Sequence, residues 1–347
     1  MDKLKDPEKP VRISAMLTLA RLGQGNSEVT EALTKFSEDS DPETRLNAVV
    51  ALAGLGKADH DVIPILLQAL FAEERATAKA AGRALGNIGM KEPEQILPGI
   101  QGILEKGQWP AAGDALRALK QMKAQAASAL PQIVKMYDSA DSAGRIDILE
   151  TVSAIDTTGD HALPILVKAV KDPDATDRRD ALISLMRFRS RVDVILGPVT
   201  GVLKDNDAEN RLLAVGIIRG LGREGLPALP DLIAASQDPD LRVRSAALNA
   251  IVFYRPLPPE VFDACEKSLK DRDSRVRTAA VNALRNLGQD YPERTTDLLK
   301  AALEVEKHGP SKNLIESTLQ GVVKGKESKP GGPQDSEKVP SAESGKK

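Results

Sequence analysis

The chain has 347 residues, 41% apolar and only 3% aromatic, with 48 basic and 50 acidic side chains for a net charge of −2. Balanced charge gives no general pull toward nucleic acid or an anionic membrane. A single cysteine, Cys265, excludes an internal disulfide and a zinc site of clustered thiolates, and no stretch is apolar for long enough to span a bilayer. The first residues lack the apolar run of a secretory signal, so the cytoplasm is the default compartment.

One phrase, Arg-x-x-Ala-x-x-x-Leu-x-x-Leu-Gly, recurs along the chain. Its first position is held by Arg12, Arg45, Ala78, Ala112, Arg145, Arg178, Arg211, Arg244 and Arg277, 33 residues apart except for one step of 34. Such a period marks stacked helical hairpins, because each unit can bury its apolar face only against its neighbours. Asp6 already sits at a turn within a repeat. Residues 8–22 therefore read as a second helix without its first, with Leu4-Lys5 as the end of the missing one.

The later repeats share one grammar. A first helix carries a proline 13 or 14 residues before the Arg position, at Pro64, Pro98, Pro131, Pro164, Pro198 and Pro230; proline costs little in a first turn. A turn rich in Asp and Pro follows. The second helix then places apolar residues at offsets 3, 7 and 10, on one face. Examples are Ala15/Leu19/Leu22, Ala48/Leu52/Leu55, Ala181/Leu185/Phe188 and Ala280/Leu284/Leu287. Glycines at 23, 56, 89, 222 and 288 are expected in the left-handed conformation that ends a helix. In the clearest repeat the first helix covers 163–170 and the turn 171–174.

The repeats between about 72 and 145 depart most from the pattern, since Ala78 and Ala112 replace the arginine. Near the far end, 298–305 reads as a first helix, and Leu314, Ile315, Leu319 and Val322 as a degenerate closing helix. Residues 324–347 are mostly Gly, Ser, Pro, Lys and Glu, and are expected to be a disordered tail.

A proline in the first helix, an Asp in the turn and Val-Arg opening the second helix resemble HEAT repeats. The short, Ala-rich version is similar to the bacterial HEAT-like class also found in phycobilin lyase subunits. The resemblance covers residues 1–323 and implies an all-α, right-handed superhelical α-solenoid of about nine hairpins, its second helices lining the concave side. It also implies a ladder between repeats in which turn Asp and helix Arg pair: Asp6 and Arg12, Asp39 and Arg45, Asp172 and Arg178, Asp205 and Arg211, Asp238 and Arg244, Asp271 and Arg277. Ala72, Lys106 and Ser139 stand where the aspartate would be in the middle, so the ladder is interrupted there.

Little in the chain points to catalysis. His60 and His161 occupy the same register at the start of a first helix and read as helix-start residues. Neither they nor His308 is followed by Glu, unlike the paired His-Glu motifs of the HEAT-type di-iron hydroxylase. No glycine-rich phosphate loop precedes a helix, and the many aspartates are explained as caps and turn formers. The expectation is a protein that is not an enzyme, with no catalytic residue, metal site or cofactor.

Arg187, Arg189, Arg191, Arg219, Arg223, Arg255 and Arg285 lie near second-helix ends. They form either an anion-binding edge or, the plainer reading, cations favoured at helix C-termini. Phe253 either packs on the Pro-rich connector after it, again the plainer reading, or is an exposed apolar contact; its neighbour Tyr254 takes a core position. Together these features suggest a monomeric, non-catalytic scaffold binding an unidentified protein or peptide on its curved surface. Its candidate contacts are Arg187, Arg189, Arg219 and Phe253, and no membrane is involved. The runner-up is a phycobilin-lyase-like or chaperone-like subunit. Nucleic-acid binding along the Arg edge is a weaker alternative, disfavoured because one tryptophan, Trp109, cannot supply a row of stacking aromatics.

Overall fold

The computed structural model of the chain describes residues 1–23, 26–55, 62–254, 257–306 and 309–327. Among the described residues every regular element is helical. They fall into two compact units, residues 1–202 and the part from Leu203 onward.

In the first unit α1 (Lys9–Leu22) is followed by the pairs α2 (Ser27–Ser37) with α3 (Pro42–Leu55), α4 (Val62–Ala69) with α5 (Arg75–Gly89), and α6 (Pro93–Lys106) with α7 (Ala111–Met122). The pairs α8 (Leu130–Met136) with α9 (Ser142–Ile155) and α10 (Ala162–Ala169) with α11 (Ala175–Leu185) come next, and α12 (Val192–Val202) closes the unit. The second unit opens with α13 (Ala208–Gly220). It continues with α14 (Leu229–Ala235) and α15 (Leu241–Ile251), α16 (Glu260–Leu269) and α17 (Ser274–Leu287), and α18 (Pro292–Val305) and α19 (Pro310–Glu327). Within each unit second helices pack on second helices, and they do so more closely than the first helices pack on one another. Small residues at the first core offset allow this approach, and a stack spaced more tightly on one side bends toward that side.

Aspartates start the second helices. Asp141, Asp174, Asp207, Asp240 and Asp273 are N-caps whose carboxylates accept from N–H groups one turn ahead, at 2.7 to 3.2 Å. The free N–H groups of a helix start are satisfied in this way. The core triads are buried from the second onward, as with Ala48, Leu52 and Leu55 or Ala280, Leu284 and Leu287; Ile88 is only half-buried. The first triad departs from expectation. Leu22 is 80% exposed, and Met16 and Ala20 are buried instead. Helix α1 packs mainly on α3 and on the short helical turn Asp2–Lys5, whose Leu4 is buried.

The glycines also differ from expectation. Of the four expected helix-ending glycines that are described, 23, 89, 222 and 288, Gly222 alone has positive φ, 59°. The other sites need room rather than a left-handed turn. A Cβ on Gly23 would come within 2.9 Å of Val29, on Gly89 within 2.5 Å of Met122, and on Gly288 within 2.5 Å of Val322. Gly56 lies outside the described residues. Pro98 and Pro198 sit inside α6 and α12 rather than in the first turn, because both helices begin about a turn earlier than the proline register implies. Helix α18 likewise starts at Pro292, before residue 298, and α19 runs to Glu327, past 323. Residues 328–347 of the expected tail lie outside the described residues.

Candidate partner-binding face

The repeated Asp and Arg meet at the turns. Arg211 Nη1 donates to the carbonyls of Asp205 (2.7 Å) and Asn206 (3.2 Å), while its Nε and Nη2 reach Asp238 Oδ2 and Oδ1 in the next repeat at 2.7 and 2.8 Å. Arg244 does the same with Asp238, Pro239 and Asp271. Each turn carboxylate also accepts the N–H two residues on, as Asp238 does from Asp240 at 2.8 Å. One guanidinium thus closes its own turn and clamps the next, using the fork geometry that only arginine offers. Arg12 and Arg178 bind their own turns, at Asp6 and Asp172, in the same manner.

Where the aspartate is missing, a glutamate or a more distant carboxylate substitutes. Arg45, which closes the Asp39 turn, also donates to Glu74 at 3.2 Å through Nε. Arg277, which closes the Asp271 turn, reaches Glu306 at 2.7 Å, and Arg145 reaches buried Asp177 at 2.7 Å. These side chains hold the stack together.

Repeats with Ala78 and Ala112 use a different device. Helix α5 presents Gly82, Gly86 and Gly89 toward α7, where any Cβ would come within 3.0, 2.6 and 2.5 Å of Asp114, Gln121 and Met122. The close approach buries the Asp114 carboxylate to 1% exposure. Arg117 bonds it from one turn along α7, and Arg75 Nη1 lies 2.7 Å from its Oδ2. That second contact is ionic but misaligned, since neither atom completes a hydrogen bond. Arg117 continues the chain of charges to Asp147 at 3.6 Å. Burial is the main reason the Asp147 carboxyl lies above its ordinary value, against the opposing pull of Arg117. Beside this network a groove of about 470 Å³ opens on α3, α5 and α7, lined by Leu46, Lys79, Gly82, Arg83, Arg117 and Gln121.

The position five residues after each Arg site faces solvent throughout. In the first unit it holds Leu17, Val50, Arg83, Arg117, Glu150 and Ile183, all exposed; in the second it holds exposed Gly216 and Asn249 and half-buried Asn282. Val50 and Ile183 are 39% and 51% exposed despite being aliphatic. Core positions scarcely change between repeats, whereas this one runs from apolar to basic to acidic. Its variability is legible in the 33-residue register of the sequence.

Of the four candidate contacts, Arg187 and Arg189 are exposed in the first unit. Arg219 and Phe253 belong to the second, where the guanidinium lies 5.9 Å from the ring centroid and Phe253 is 59% exposed. Phe253 is therefore not packed away against the connector, and Arg255 lies outside the described residues. Tyr254 is buried and donates to the Ile218 carbonyl at 2.7 Å. Cys265 is fully buried, which pushes its thiol up to about 12. His60 and His308 lie outside the described residues. His161 N-caps α10, and its backbone N–H donates to Asp156 at 2.7 Å.

Asp156 went unnoticed in the sequence. It is buried and also accepts from the N–H groups of Thr158, Gly159 and Ala162. Burial raises its pKa, but the backbone donors outweigh that and hold it below the ordinary value. Among the described residues no three metal-ligating side chains gather, and no helix is long and apolar enough to cross a membrane.

Comparison with known proteins agrees with this architecture. A family model described as HEAT repeats matches residues 1–86, and one for the single HEAT repeat matches residues 261–291. No curated protein sequence matches the chain. Solved structures do. An engineered protein aligns at 18% identity over 94% of this chain and 98% of its own, with a TM-score of 0.51. Kap121p bound to Nup53p aligns at 14% identity over 93% of this chain and 40% of its own, TM-score 0.63. Kap95p, in a structure with RanGDP, aligns at 13% identity over 93% and 50%, TM-score 0.61. The chain thus spans half or less of these karyopherins' length, and identities this low speak to fold alone. HEAT-repeat models thus match residues near both ends, and the same helical register runs between them.

Proposed function

We propose that the chain is a non-catalytic scaffold that binds a protein or peptide partner on the exposed face of its second helices. The observation that carries this reading is the position five residues after each Arg site, exposed in all but the last repeat and variable in chemistry. A repeat array needs its core and ladder to be uniform and gains selectivity only where uniformity is relaxed. Exposed Leu17, Val50 and Ile183 add apolar contact area that folding leaves unused. Kap121p structures with bound Nup53p and Pho4p illustrate partner capture on a similar fold.

Substitution at the variable row tests the proposal. Val50→Asp and Ile183→Asp should each weaken capture of the native partner by roughly tenfold or more, the scale of a lost interface anchor. Lys35→Glu on α2 and Lys135→Glu on α8 should leave capture unchanged. Equal loss from both sets would overturn the reading.

A further inference from the structure

The groove on α3, α5 and α7 has features that the ladder and the core do not require. Lys79 and Arg83 are exposed on α5, one turn apart, and have no ion-pair partner among the described residues. This contrasts with the ladder arginines, whose guanidinium groups are held by turn carbonyls and carboxylates. Arg117 lies across the groove from them, tethered to buried Asp114 and so presented in a fixed place. At the floor, buried Asp114 is held by Arg117 and, from behind, by Arg75.

From these residues we infer that the groove is a docking site for an acidic stretch of extended peptide, an inference that rests on the scaffold reading above and names its partner chemistry. Side-chain carboxylates would pair with Lys79 and Arg83, with Arg117 beside them. The charges next along the second helices favour a peptide. Asp147 and Glu150 on α9, then Asp180 on α11, follow the basic stretch, while Leu46 and Val50 on α3 precede it. A uniformly negative nucleic-acid backbone would be repelled after two helices. A peptide whose acidic residues are flanked by an apolar one on the α3 side matches the sequence of surfaces.

Fluorescence anisotropy with labelled oligoglutamate, oligolysine, neutral Gly-Ser and oligothymidylate probes tests the inference on the full chain. The expected result is salt-sensitive binding of oligoglutamate, weakened roughly tenfold or more in Lys79→Glu/Arg83→Glu. The same charge-reversed variant should gain affinity for oligolysine, a gain that a misfolded protein could not show. Trp109, the sole tryptophan, is a built-in reporter: a Cβ placed on Gly113 would lie 2.9 Å from its ring and 3.1 Å from Asp147 Oδ2. Oligoglutamate should change its emission.

Three outcomes overturn the inference: no oligoglutamate binding, binding indifferent to the double reversal, or oligothymidylate binding as tightly at the same residues. None of them removes the scaffold reading, which stands or falls separately on the Val50 and Ile183 variants.

Discussion

Arg211 and Asp156 show how single side chains hold irregular backbone in place. Arg211 makes four charge-assisted contacts from a nearly buried position, two to the turn behind it and two to Asp238 ahead. Removing it leaves a buried carboxylate and two turn carbonyls unpaired. Arg211→Ala should therefore lower the stability of the second unit by about 3 kcal/mol, read from urea denaturation; a loss no larger than that of an exposed arginine would contradict this role.

Asp156 gathers four N–H donors at the entry to α10. Its pKa is depressed in the folded state, so its stabilisation is full above the unfolded value of about 4 and fades as pH falls through the lower folded value. Asp156→Asn should cost about 1–3 kcal/mol at neutral pH. The gap from the parent protein should shrink on titration from pH 6 toward pH 3, and a gap constant with pH would show that the charge is not what matters. The sequence marked Arg211 because the residue recurs in register. Asp156 has no such echo, since its ligands are backbone groups of one irregular loop, and a loop's path is not written in residue identity.

At the level of elements, pairs of helices are held apart at a distance set by the smallest residues between them. The α5–α7 contact is the clearest case, because Gly82, Gly86 and Gly89 leave no room for a Cβ toward α7. Gly82→Val should force the helices apart and destabilise the first unit by about 1–3 kcal/mol. Gly102 in α6 has open space around it, so Gly102→Ala should stabilise by about 0.5–1 kcal/mol through backbone entropy alone. Thermal melts of the two variants check both signs.

The helices themselves were readable from period, proline and turn aspartate, because core burial and capping act locally. The first triad and the glycines were misjudged because their environment depends on neighbours. Leu22 is 80% exposed, and Gly23, Gly89 and Gly288 answer to side chains on other helices. The loss of the arginine at 78 and 112 coincides with a glycine seam and a buried Asp114 network whose members are scattered along α5, α7 and α9.

Across the chain, buried or clamped positions and an exposed, variable row separate within one 33-residue register. Positions buried in the core or clamped in the ladder repeat their chemistry, and the row five residues after each Arg site does not. The fold class follows from the first set, while any partner preference must follow from the second. The groove beside Lys79 and Arg83 belongs with that row, since Arg83 and Arg117 are two of its members.

The central claim is that partners meet the exposed second-helix face, and site-specific photocrosslinking tests it most directly. A photoreactive residue is placed in turn at Val50 and Ile183 on second helices and at Lys35 and Lys135 on first helices, and irradiated in the native host. The predicted result is a common crosslinked partner at Val50 and Ile183 and none at Lys35 or Lys135. A partner captured from the first-helix positions alone would contradict the claim.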